Sequence, residues 1–160
     1  MHYKSMNEVE SLVCAFEEQT TSLEEWDHQM HLAVCCWYVM KTPEKAEPLM
    51  RNGLKALNKN LQSTNRTLGV IATPSNEYHE TLTLFWIAKV RSLVEVCSGP
   101  DIVVLNAVIR GLADPSLVYF HYSHENIDSS EARASWREPD LHRLPVEGTE
   151  QWEWPERRAS

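Results

Sequence analysis

The eight residues from Ala33 to Met40 read A-V-C-C-W-Y-V-M and carry no charge. A helix built from such a run is apolar on nearly every side, and a helix apolar all round belongs at the centre of a fold. Other helices must surround it. The rest of the sequence can supply them, because spacings of three and four dominate and strand-like alternation is scarce. The chain has only five glycines in 160 residues. That length fits one ordinary domain with a core of its own. The expectation is an all-α, compact single-domain bundle of about five helices spanning residues 1–145, with an extended C-terminal segment and a flexible tail over 146–160.

Local signals place the helices. Val9, Leu12, Val13 and Phe16 form one stripe of a first helix from about Ser5 to Gln19. Ser22 followed by Glu25 reads as a capping box that opens the second helix, which runs to about Lys41. Thr42-Pro43 reads as N-cap and first residue of a third helix, to about Asn60. A polar loop is expected over Gln62 to Asn76, including the Asn65-Arg66-Thr67 tripeptide, which reads as loop and not as a glycosylation site. The fourth helix starts near Ser75 and reaches Val96. Ser98-Gly99-Pro100-Asp101 stops it and starts a fifth, to about Ala113. A short helix from Ser129 to about Trp136 follows the Asp114-Pro115-Ser116 break.

The overall balance excludes some classes of function. The net charge is −8 and the pI about 5.3, so a phosphate backbone is repelled and nucleic acid is not an expected partner. No apolar run reaches the ~18 residues of a membrane span. Cys14, Cys35, Cys36 and Cys97 form no C-x-x-C pair and read as reduced thiols, which points to the cytoplasm. Phosphate loops, nucleophile elbows and H-E-x-x-H are absent from the sequence.

Histidine carries the chemistry that remains. On a helical wheel, Leu23, Trp26, Met30, Ala33, Trp37 and Met40 make a packing seam, while Glu24, His28, His31, Cys35 and Tyr38 make a second stripe about 150° away. His28 and His31, at i and i+3, are neighbours that can chelate one metal or flank one substrate. The next motif is Tyr78-His79-Glu80-Thr81-Leu82-Thr83, with His79 in a first helical turn, where the dipole favours a neutral imidazole. Glu80 reads as ligand, general base, or a carboxylate that suits the dipole. If the two segments meet, His28, His31 and His79 supply three nitrogens for a divalent metal such as zinc, iron or manganese. Two histidines with Glu80 would form an iron-type facial triad.

These motifs resemble a poorly characterised family of small bacterial helical proteins. The shared patterns are W-x-H-x-x-H-L (Trp26 to Leu32), Y-H-E-T-x-T (Tyr78 to Thr83), S-x-E-A-R (Ser129 to Arg133) and P-D-L-x-x-L-P (Pro139 to Pro145). Glu77 stands where the family pattern has glycine. The resemblance implies that both histidine motifs belong to one site and brings no assigned reaction with it.

The expected function is therefore a small-molecule enzyme with a pocket between the second and fourth helices. His28, His79 and Glu80 would do acid–base work, and Trp26, Cys35, Tyr38, Tyr78, Thr83 and Trp86 would line the pocket. The alternative is a non-catalytic module that binds a ligand or partner, its histidines serving as buried hydrogen-bonding residues. A metal or redox sensor using Cys35 is a third option. Tyr119, His121, Tyr122 and His124 read as a packed connector, and Arg133 as an exposed side chain or an anion ligand. Six tryptophans on an acidic domain are compatible with a homodimer, and Trp152 and Trp154 in the tail with a partner contact.

Overall fold

The computed structural model describes residues 2–21, 25–67 and 78–144, with the side chains of 60–67 set aside. Helices dominate, and no strand occurs among the described residues. Five main helices are α1 (Met6–Glu17), α2 (His28–Lys41), α3 (Ala46–Thr67), α4 (Glu80–Val96) and α5 (Asp101–Gly111). Three short ones follow: α6 (Val118–His121), α7 (His124–Ile127) and α8 (Ser130–Ala134). No single helix is long and apolar enough to cross a membrane.

The apolar run makes α2 the centre, packed against α1, α3, α4 and α5. Leu32 to Cys36 are buried without exception, as are Tyr38 and Val39. Around it, α1 contributes Val9, Val13 and Phe16, α3 contributes Ala46, Met50 and Leu54, and α4 contributes Phe85, Trp86, Ile87 and Val90. The two stripes of α2 do not divide as expected: Ala33 of the packing seam is buried, His28 and His31 of the second stripe are half-buried, and Leu23 and Glu24 lie outside the described residues. Trp26, Met30, Trp37 and Met40 are half-buried at the periphery, whereas Cys35 and Tyr38 lie in the core. α2 is surrounded by α1, α3, α4 and α5, so it buries residues from both stripes.

Several boundaries move. The Ser5 hydroxyl caps α1 by accepting from the Glu8 N–H at 3.3 Å, and the Glu8 carboxylate accepts from the Lys4 N–H at 2.9 Å. The Ser22–Glu25 capping box does not open α2. Ser22 lies outside the described residues, Glu25 sits in a turn, and Asp27 is the cap, accepting from the Met30 N–H at 2.8 Å. His28 is therefore the first residue of its helix and not a mid-helix residue. Thr42 is no side-chain cap; Pro43–Lys45 form a 3-10 turn before α3. The helix α3 continues to Thr67, so Gln62 to Thr67, with the Asn-Arg-Thr tripeptide, is helical and not loop. The remainder of the expected loop and the tail from Pro145 lie outside the described residues.

After α8 the chain loses helical form and crosses the molecule as a strap over 135–144. It is bound at many points. The Thr81 hydroxyl donates to the Ser135 carbonyl at 2.9 Å and accepts from the Arg137 N–H at 3.1 Å. Asp140 accepts from the Ser123 N–H and hydroxyl at 2.9 and 2.6 Å and from Asn126 at 3.1 Å. The Leu141 N–H donates to the His121 carbonyl at 2.9 Å.

Candidate functional site

Asp27 sets His28 at the start of α2, one turn before His31. The two rings are nearly parallel, with centroids 6.5 Å apart at 25°. From α4, Trp86 meets His28 edge-on at 4.6 Å. From the segment before α2, Trp26 approaches His31 at 6.3 Å and stacks on Phe16 at 5.1 Å. The His28 Nε2–H donates to the Leu112 carbonyl at 2.8 Å, at the end of α5. Burial lowers the His28 pKa although the carbonyl bond opposes it. Burial, and secondarily the neighbouring His28, brings His31 down to about 4. Both imidazoles are thus neutral near pH 7. The His31 Nε2 is sealed from solvent and has no hydrogen-bond partner among the described residues.

The second motif forms a separate cluster. His79 is the N-cap of α4 and not a first-turn residue: its Nδ1 accepts from the Leu82 N–H at 3.1 Å. Its Nε2–H donates to the Ile127 carbonyl at 2.7 Å. Both ring nitrogens are engaged, the tautomer is set, and burial lowers the pKa. The Thr83 hydroxyl donates to the His79 carbonyl at 2.8 Å. Glu80 is held by Arg51, whose Nη2 reaches Oε1 at 2.8 Å and whose Nε lies 3.0 and 3.1 Å from the two oxygens. The Tyr78 hydroxyl donates to Glu80 Oε2 at 3.2 Å. Burial alone would raise the Glu80 pKa, but the Arg51 hydrogen bonds and charge overcome it and lower it.

The sequence motifs therefore meet as helices, since α2 packs against α4, without converging on one ion. Among the described residues, no three or more His, Cys, Asp or Glu side chains are arranged to hold a metal. The expected set of His28, His31 and His79 is not assembled, for a specific reason. A metal would have to displace either the α4 cap or the Ile127 bond at His79, and would have to avoid the Nε2 of His28. Glu80, expected as base or ligand, is an ionised partner of Arg51. Of the expected lining, Trp26 and Trp86 stand by the histidine pair and Tyr78 and Thr83 by His79. Cys35 is fully buried, which pushes its thiol up. Tyr38 turns toward α1, donating to Glu17 at 2.8 Å. All four cysteines are free thiols.

Arg51 and the carbonyls of Leu112 and Ile127 went unseen in the sequence. Backbone acceptors leave no mark there, and an arginine in an amphipathic helix looks like a surface residue. Lys89, a cation inside the apolar stretch L-F-W-I-A-K-V, did leave a mark.

No protein family, curated protein or solved structure was found to match this chain.

Proposed function

We propose that the chain is a helical module that binds one small molecule non-covalently at the His28–His31 end of α2, between α2 and α4. The observation that supports this is the His31 Nε2. A buried polar atom left unpartnered costs about 1–3 kcal/mol, and such atoms are uncommon in folded proteins. A ligand carrying one complementary donor or acceptor would recover that cost. The walls suit a flat, largely apolar frame, since Trp26 and Trp86 are aromatic and both imidazoles are uncharged. The other histidines act as fasteners. Four free thiols accord with a reducing compartment.

An enzyme using a divalent metal at the same place is the second reading, because an unpartnered neutral imidazole nitrogen is also what a metal takes. One experiment separates them. The untagged protein and His31→Phe are titrated calorimetrically with Zn²⁺ and Mn²⁺, and both are screened by thermal shift against a panel of metabolites. Binding of an organic compound that is lost in His31→Phe supports the module. Stoichiometric metal uptake lost in the variant supports the metal enzyme. Indifference to His31 in every arm removes the site.

A further inference from the structure

Thr81, Leu84 and Ala88 share one stripe of α4, at helical spacing. The strap is fastened to this stripe at Thr81, through Ser135 and Arg137, at 2.9 and 3.1 Å. Farther along, its hydrogen bonds run to other elements. The Glu138 carbonyl accepts from Asn126 at 3.1 Å, and Asp140 accepts from Ser123 at 2.9 Å. The Leu141 N–H and the His142 ring bond the carbonyls of His121 and Phe120. The helix and the strap therefore part after Thr81, and a groove of about 800 Å³ opens between them. Glu47 of α3 borders it, held by Arg91 of α4 at 3.1 Å.

The bed of the groove is apolar. Leu84 and Ala88 line it from α4, and Trp136, Pro139 and Leu144 from the strap. All five are half-buried, although the residues around Leu84 and Ala88 on α4 are buried. The Trp136 indole is set in place: its Nε1–H donates to Glu138 Oε1 at 3.0 Å, and its ring meets Tyr122 at 6.5 Å and 88°. Two opposite charges, Glu138 and Arg143, complete the lining on the strap. Among the described residues, neither enters an ion pair, with the other or with a third group. Glu47, by contrast, is already answered by Arg91. Trp86, which meets His28, is two residues from both Leu84 and Ala88 and so lies about 160° around α4 from them. The groove and the histidine pair are thus on opposite sides of that helix.

We infer that this groove is a second ligand site, for a free amino acid with a large apolar side chain. The side chain lies on the bed of Leu84, Ala88 and Trp136. The carboxylate meets Arg143, whose planar guanidinium takes both oxygens. The ammonium meets Glu138. Charge complementarity selects this class. A simple cation would leave Arg143 unanswered and set a like charge near it, and a simple anion would do the same to Glu138. A zwitterion answers both. The volume holds an aromatic amino acid with room to spare. Both walls are fixed by bonds that do not involve the ligand, so binding orders little of the protein. The two charges are exposed, which keeps each contribution modest.

The test titrates the isotope-labelled full chain with L-phenylalanine, phenethylamine and hydrocinnamate, which share a ring and differ in charge. The readout is the indole N–H resonance of Trp136, assigned with Trp136→Phe. Phenylalanine should shift it saturably, and the amine and the acid should each bind about fivefold more weakly, the size of one exposed charge contact. Glu138→Gln keeps an oxygen for the Trp136 N–H and should erase the advantage of phenylalanine over hydrocinnamate. Arg143→Gln should erase its advantage over phenethylamine. His31→Phe should leave all three titrations unchanged. The proposal is overturned by the absence of a saturable shift with phenylalanine, by equal affinity for the three probes, or by affinity that survives both charge variants. Loss of binding in His31→Phe also overturns it, because the ligand would then sit at the histidine pair.

Discussion

His79 joins two elements with one ring. Its Nδ1 caps α4 and its Nε2–H holds the Ile127 carbonyl at the end of α7. The two bonds can be separated by substitution. Asparagine is a good N-cap and cannot span to Ile127, whereas alanine does neither. His79→Ala should cost about 2–4 kcal/mol, from a lost cap of ~1 and a lost bond that orphans a carbonyl. His79→Asn should cost roughly half as much by the same reckoning. Urea unfolding monitored by far-UV circular dichroism measures both. Equal losses in the two variants would show that the cap contributes nothing. The histidines were legible in the sequence as residues of consequence, but their partners were not. Leu112 and Ile127 act through backbone oxygens, which any residue type provides. Arg51 bonds Glu80 across 29 positions, and helical periodicity reports nothing about partners that distant.

The helices themselves were mostly readable, because caps and stripes are local. Ser5, Asp101 and Ser129 stand where helices begin, and the buried face of α1 matches its stripe. The start of α2 was not readable. Two caps compete there, Ser22 with Glu25 and Asp27 alone, and caps differ by only about 1 kcal/mol. Packing of Trp26 on Phe16 favours the later start, since it holds Trp26 outside the helix. The same contact explains a glycine that sequence rules count as a weakness. Gly53 lies within α3, and a Cβ there would stand 2.2 and 2.3 Å from Phe16 ring carbons. Phe16 is 1 % exposed, stacked on Trp26 and tilted against Tyr38 at 6.5 Å, so its ring has no room to swing. Gly53→Ala should therefore lose about 1–3 kcal/mol by overpacking, where an exposed helix would gain up to ~1. A gain in melting temperature would mean that α1 shifts freely on α3. An altered near-ultraviolet tryptophan spectrum with a lower melting temperature is the expected outcome.

At the scale of the whole molecule, buried neutral bases, thiols and phenols make stability a function of pH with an unusual maximum. His31 and His121, both near 4 when folded and 6.5 when free, lose their protons on folding, so stability declines as pH falls from 6.5 toward 4. Lys89 extends the same trend upward. Folded it titrates near 6 and unfolded near 10.5, so the unfolded chain holds the extra proton throughout that window. Stability then rises with pH by up to about 1.4 kcal/mol per unit. The opposite sign enters at about pH 9. Burial raises Cys36 to about 12 from 9.0, and also raises Cys35, Tyr38 and Tyr122, so in strong base the unfolded chain sheds these protons first and is favoured. The maximum is therefore expected near pH 9, well above the usual 5–8. Between 6.5 and 9 the rise belongs to Lys89, because the buried histidines are already neutral there and the thiols and phenols still protonated. Lys89→Met keeps the apolar stem and removes the charge. It should raise the melting temperature at pH 7 and flatten the profile from 6.5 to 9, as followed by scanning calorimetry across that range. A wild-type profile already flat between pH 7 and 9 would mean that Lys89 keeps its proton in the folded chain.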